Sequence, residues 1–106
     1  MPKFLLQGSY TPEGVKGLMA EGGSARLAAG TAAVESAGGT VESLYFAYGD
    51  TDVLGICDFP DAAGAAAVSL LINASGAISV TLTPLITAEE LDAAAAKTPS
   101  YRAPGV

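Results

Sequence analysis

The chain has 106 residues, with five lysines and arginines against eleven aspartates and glutamates, no histidine, and a formal charge of −6. Half of it is hydrophobic, but only 7% is aromatic and there is no tryptophan. This length supports one domain, expected over residues 1–106 with 97–106 as a tail, and such a domain buries only roughly 60–65% of its unfolded surface. A small chain whose apolar content is mostly alanine has a physical reason to seek more burial from a second subunit. Without histidine there is no Ser-His-Asp triad, no Cys-His pair and no imidazole ligand for zinc or haem, so no metal or cofactor is expected. The single thiol, Cys57, excludes an intrachain disulfide and a CxxC site. Scattered cations on an acidic chain argue against nucleic-acid phosphates as a partner. No apolar run is long enough to span a membrane, and no basic segment precedes an apolar leader. The expected setting is a reducing cytoplasm, with no membrane partner.

Lys3 to Tyr10 reads as a first strand with polar residues near its exit. Thr11-Pro12 then offers a helix N-cap with proline at the first helical position. Val15, Leu18, Met19 and Gly22 fall on one helical stripe, continued by Ala25 or Arg26 and then by Ala29 and Ala33. Gly22-Gly23 kinks or divides the helix, Ser24 is a candidate cap for the second half, and Gly38-Gly39 stops it. A hairpin follows, built from Val41–Tyr48 and Asp52–Phe59 around a turn at Gly49-Asp50 or Asp50-Thr51. Strict alternation would put Val41, Ser43, Tyr45 and Ala47 on one face and Glu42, Leu44, Phe46 and Tyr48 on the other. Pro60-Asp61 opens a helix with Val68, Leu71 and Ile72 as its apolar stripe, ending near Ser75-Gly76. Ile78, Val80 and Leu82 alternate with Ser79, Thr81 and Thr83 as a last strand. Thr87-Ala88-Glu89-Glu90 fits a capping box opening a short helix through Ala96.

The order is βαββαβ with a short C-terminal helix, an α+β, ferredoxin-like arrangement. In that arrangement the helices cover one sheet face and leave the other open. The second hairpin strand, with Val53, Leu54, Ile56 and Cys57, is apolar on both sides and is expected at the centre of the sheet. Something should then cover the open face, and a second copy of the chain related by a twofold axis is the simplest cover.

Four blocks of residues carry a resemblance to a known family. Gln7-Gly8-Ser9-Tyr10-Thr11, Gly22-Gly23-Ser24-Ala25-Arg26, Phe46-Ala47-Tyr48-Gly49-Asp50-Thr51-Asp52 and Asn73-Ala74-Ser75-Gly76, in that order and spacing, resemble the GYD-domain family. The resemblance covers Lys3 to about Arg102. It implies a fold of the dimeric α/β-barrel type, and no particular reaction. Thr51 stands where a tyrosine is usual between glycine and aspartate, so any role of that ring or hydroxyl is missing here.

The candidate site residues are Gln7, Ser9, Tyr10, Arg26, Tyr48 and Asp52. Gln7, Ser9 and Tyr10 end a strand expected to be central, beside a helix N-terminus, where amide, hydroxyl and phenol groups can line a cleft between sheet and helices. Arg26 can grip a carboxylate ligand, or pair with an acidic side chain such as Asp52 or Asp58. Asp50 and Asp52 admit a proton-transfer or hard-cation reading, but turn chemistry explains them more simply, Asp52 less completely than Asp50. Tyr45, Phe46 and Tyr48 straddle both strand faces and are expected mainly in core or dimer packing. Cys57 reads as a small buried hydrophobe. The function read from these residues is an oligomeric small-molecule-binding module. The alternatives are a cofactor-independent monooxygenase or isomerase on the same fold, or a structural or regulatory assembly module. A closed, dry interior would favour the last; a pocket of about 300 Å³ or more with convergent polar groups would favour the first two.

Overall fold

The structure, a computed structural model, describes residues 2–106. The elements run β1 (Lys3–Tyr10), α1 (Pro12–Glu21), α2 (Gly23–Ser36), β2 (Thr40–Phe46), β3 (Val53–Asp58), α3 (Ala62–Ala74), β4 (Ile78–Leu85) and α4 (Ala88–Ala96). The four strands form one antiparallel sheet in the order β2-β3-β1-β4, so β1 and β3 are central as the sequence pattern required. This is the expected ferredoxin-like α+β arrangement. Among the described residues, no helix is long and apolar enough to cross a membrane.

Strand alternation sorts the side chains. On the helix-covered face, Phe4 and Leu6 of β1, Val53 and Cys57 of β3, and Val80 of β4 are buried. They meet Val34 of α2, Ala65 and Val68 of α3, and Phe59, whose ring packs edge-on against Phe4 at a centroid distance of 5.7 Å. The other face carries Lys3, Leu5, Gln7 and Ser9 of β1 beside Leu54, Ile56 and Asp58 of β3 and Thr81, Thr83 and Leu85 of β4. Leu5, Leu54 and Ile56 are half-buried there with no helix over them.

Three local readings are corrected by the packing. A bulge between Val41 and Ser43 shifts the β2 register, so Val41 pairs with Cys57 on the core face while Ser43 pairs with Ile56 on the open face. Strict alternation fails at Glu42 because one extra residue in a strand re-aims everything on one side of it. Leu71 of α3 points outward at 65% exposure, and the buried stripe is Ala65, Val68 and Ile72 instead. A one-position error in a helical stripe costs about 100° of rotation, which is enough to exchange core for solvent. Ser24 does not cap α2. Gly22 is both the C-cap of α1 and the N-cap of α2, at φ 90°, and α2 begins with no side-chain cap. Only glycine adopts that backbone without strain, so the break between the helices is set at this residue.

The other boundaries agree with the sequence. Thr11 caps α1 through Gly14 N–H at 3.2 Å, and Asp61 caps α3 through Gly64 N–H at 2.8 Å. After α2, Gly39 N–H donates to Val34 O and Gly38 N–H to Glu35 O, the paired bonds of a Schellman stop. The Thr87–Glu90 capping box of α4 has both of its hydrogen bonds, each at 3.1 Å.

Candidate functional site

The segments that join the elements at one end of the sheet are tied together by hydrogen bonds. Tyr10 N–H at the β1 exit donates to the Asp52 carboxylate at 2.7 Å. The Asp52 backbone completes the junction, its N–H donating to Gly8 O at 2.8 Å and its carbonyl accepting from Ala47 N–H at 2.7 Å. Thr11 holds the α3–β4 turn, its hydroxyl donating to Gly76 O at 3.0 Å and its N–H to Ala77 O at 3.0 Å. Gly14 sits so close to that turn that a Cβ there would overlap the Ala77 carbonyl. Asn73 bridges α3 to the edge strand: its amide nitrogen donates to Val80 O at 3.0 Å and its oxygen accepts Val80 N–H at 2.7 Å. A side-chain amide thus satisfies both backbone groups of a residue on an edge that has no further strand.

Above this end lie two neighbouring spaces. An open cleft of about 360 Å³ runs beneath α1 and the α1–α2 junction, lined by Tyr10, Val15, Leu18, Gly23, Phe46, Ala47 and Asp52. A narrow cavity of about 100 Å³ lies deeper, between α2 and the sheet. Its walls are almost entirely apolar, including Leu6, Val34, Leu44, Val53, Cys57 and Ile78, with Gly30 and Ala33 of α2. Tyr10 and Phe46 line both spaces, and Arg26 lines the inner one. Small residues on α2 explain the void: glycine and alanine facing Leu44 and Val53 cannot fill the distance that larger side chains would.

The six candidate residues are divided among three places. Tyr10, Arg26 and Asp52 border the cleft and cavity. Gln7 and Ser9, one residue out of phase with Leu6, Gly8 and Tyr10, face the open side of the sheet, where Ser9 Oγ reaches Asp50 O at 3.5 Å. Tyr48 is fully exposed in the β2–β3 turn. Arg26 pairs neither with Asp52 nor with Asp58: its guanidinium reaches Glu21 at 3.5 Å, and Asp58 instead pairs with Lys3 at 3.1 Å. The Asp52 carboxylate serves a backbone N–H, which gives it a definite structural task. Lys3 lies between Glu42 and Asp58, and hydrogen bonds to both carboxylates raise its pKa.

Cys57 is buried, and burial, with Asp58 beside it, pushes its thiol up to about 11. It is therefore protonated and weakly nucleophilic at neutral pH, as a structural cysteine should be. Among the described residues no group of three His, Cys, Asp or Glu side chains could hold a metal ion. Asn73 escaped identification as a working side chain, although it opens one of the recognisable blocks. Its signal was an amide three residues before a glycine stop, next to a strand whose partner on that side is absent.

The recognisable blocks now have physical roles. Three of them meet in the hydrogen-bonded end of the sheet, and the fourth forms the α1–α2 junction over the cleft. A family model described as the GYD domain matches residues 4–95 of the 106. No curated protein and no solved structure matches the chain.

Proposed function

The chain belongs to the GYD-domain family, and on that premise we propose that it is an oligomeric small-molecule-binding module. The observation that carries this reading is the apolar cavity between α2 and the sheet, with Tyr10 and Arg26 among its walls, beside an outer cleft that shares Tyr10 and Phe46 with it. An apolar slot with few polar groups is the usual form of a small-ligand site. The outer cleft reaches the volume set above, with Tyr10 and the Asp52 carboxylate, itself held by Tyr10 N–H, as its polar side chains; the inner cavity, at about 100 Å³, suits one end of a ligand. Arg26 is only a third exposed and its ion pair with Glu21 is long, so the guanidinium has donors to spare. The ligand that fits is a small amphipathic carboxylate, its apolar end in the cavity and its anion towards Arg26. The uncapped first turn of α2, whose Gly23 lines the cleft, adds backbone N–H groups that favour the same charge.

The oligomeric half of the reading rests on the open sheet face, where Leu5, Leu54 and Ile56 lie side by side and Tyr45 is 71% exposed. A second copy is the partner proposed to cover it. Native mass spectrometry of the freshly purified protein tests both halves, since it reports subunit number and any carried mass together. Titration with benzoate and octanoate then tests the ligand class. The expected result is an oligomer whose affinity for one of these acids falls roughly tenfold or more, about 1.4 kcal/mol, in Arg26→Ala. A protein that carries nothing and binds neither acid at millimolar concentration overturns the ligand assignment; a monomer overturns the oligomer.

A further inference from the structure

The C-terminal segment behaves unlike the rest of the chain. Every residue from Ile86 to Val106 is exposed, including Ile86 at 60%, Leu91 at 57%, Tyr101 at 80% and Val106 at 82%. Among the described residues, its hydrogen bonds all stay within the segment. Yet it is a formed helix with a complete capping box, and Ile86 and Leu91 occupy the two positions of a hydrophobic staple. A nine-residue helix is marginal in water without a surface to pack on.

The surface area shows how much burial is missing. A compact monomer of 10.5 kDa exposes about 5,400 Å², whereas this chain exposes 7019 Å². The excess, roughly 1,600 Å² per chain, is about twice what one partner contributes to an interface of standard size. Shape agrees: the Cα radius of gyration is 16.8 Å where about 13 Å is expected, and the molecule is 55 Å long.

We propose that residues 86–106 are an exchange arm that lies against the open sheet face of a second copy, each copy covering the other. This rests on the oligomeric half of the proposed function and is independent of the ligand. The arm leaves from the right place, because Leu85 ends edge strand β4 on the open face, opposite Lys3. Only Ile86 and Thr87 separate that strand from α4, with no glycine to turn the chain back over its own sheet. Charge is divided within the arm: α4 carries Glu89, Glu90 and Asp92, whereas residues 97–106 carry Lys97 and Arg102 and no acidic side chain. With three anions against two cations the arm is close to neutral, so the contact proposed is apolar, Ile86 and Leu91 meeting the Leu5, Leu54 and Ile56 surface.

Sedimentation equilibrium on the full chain, on Leu91→Glu and on Ile86→Glu tests the arm. Both side chains are exposed in the single chain, so both variants should keep the native circular dichroism while weakening the dimer by roughly tenfold or more. Trypsin provides the second reading: cleavage after Lys97 and Arg102 should slow as the wild-type protein is concentrated through its dimer dissociation constant. A wild-type dimer whose affinity is unchanged in both variants, or whose arm is cut at the same rate at every concentration, overturns the arm and leaves the oligomer standing. A wild-type monomer overturns both.

Discussion

Replacing Asp52 with alanine should destabilise the protein by about 2 kcal/mol, because a hydrogen bond to a charged group typically contributes roughly 1.5–3 kcal/mol. The bond in question joins the Asp52 carboxylate to Tyr10 N–H at 2.7 Å, in a partly buried setting. The alanine variant keeps the Asp52 backbone bonds to Gly8 and Ala47, since neither uses the side chain. What it loses is the acceptor for a donor at the end of central strand β1, just before Thr11 caps α1. Asp52→Asn keeps an oxygen in reach and loses only the charge, so it should cost about half as much. Urea unfolding followed by circular dichroism should show the midpoint falling by roughly 1–2 M in Asp52→Ala, with an unchanged slope. If the alanine variant lies within about 0.5 kcal/mol of wild type, Tyr10 N–H is satisfied by water and the junction is not held as argued. Equal damage from asparagine and alanine would mean that charge alone matters, and the hydrogen-bond account would fail.

Gly14→Ala should be among the most damaging small substitutions, at roughly 3 kcal/mol or more, because the new methyl would overlap the Ala77 carbonyl that accepts the Thr11 N–H; thermal unfolding would detect it at once, and a neutral result would refute the close approach of α1 to the α3–β4 turn. Asn73→Ala strands both backbone groups of Val80 and should cost about 2 kcal/mol, with Asn73→Asp no better, since it sets a carboxylate against the Val80 carbonyl. Urea midpoints of the two variants compare them directly. Stability should fall as pH rises from 9 towards 11, because the unfolded Cys57 thiol ionises from its ordinary value of 9.0 while the folded one holds its proton to about 11. The unfolded state then binds fewer protons than the folded one, a slope of about 1.4 kcal/mol per pH unit against folding. The raised pKa of Lys3 acts in the same direction, its contribution present below 10.5 and lost as pH rises through the folded value. Denaturation midpoints across that range should flatten between pH 9 and 10.5 in Cys57→Ala; an unchanged slope would remove Cys57 as its source.

The division of the candidate site follows from strand periodicity. Gln7, Ser9 and Tyr10 are neighbours in sequence, but a side-chain period of two sends Tyr10 to the helices and the other two to the open face. Arg26 on a helix borders the inner cavity and Asp52 at a turn borders the outer cleft, more than twenty residues apart in the chain, with Tyr10 lining both spaces. No local pattern announces that convergence. It depends on the angle at which α2 crosses the sheet, and so on the break at Gly22.

Local chemistry determined most of the element boundaries here: Thr11, Asp61 and Thr87 each cap the helix that follows, and Gly38-Gly39 stop α2, because these interactions close within a few residues. Apolar content on both sides of β3 likewise required a central strand, since its burial needs neighbours on each edge. Only the tertiary structure decided which side of α3 is buried, where the bulge at Glu42 turns β2, and which candidate residues share a cleft. Those outcomes depend on how distant segments pack, and a residue's own neighbours in the chain do not encode them. The alanine-rich, area-poor composition pointed towards a shortage of burial, and the tertiary structure decided where that shortage falls, because α4 and the residues after Leu85 leave their apolar side chains exposed in the single chain.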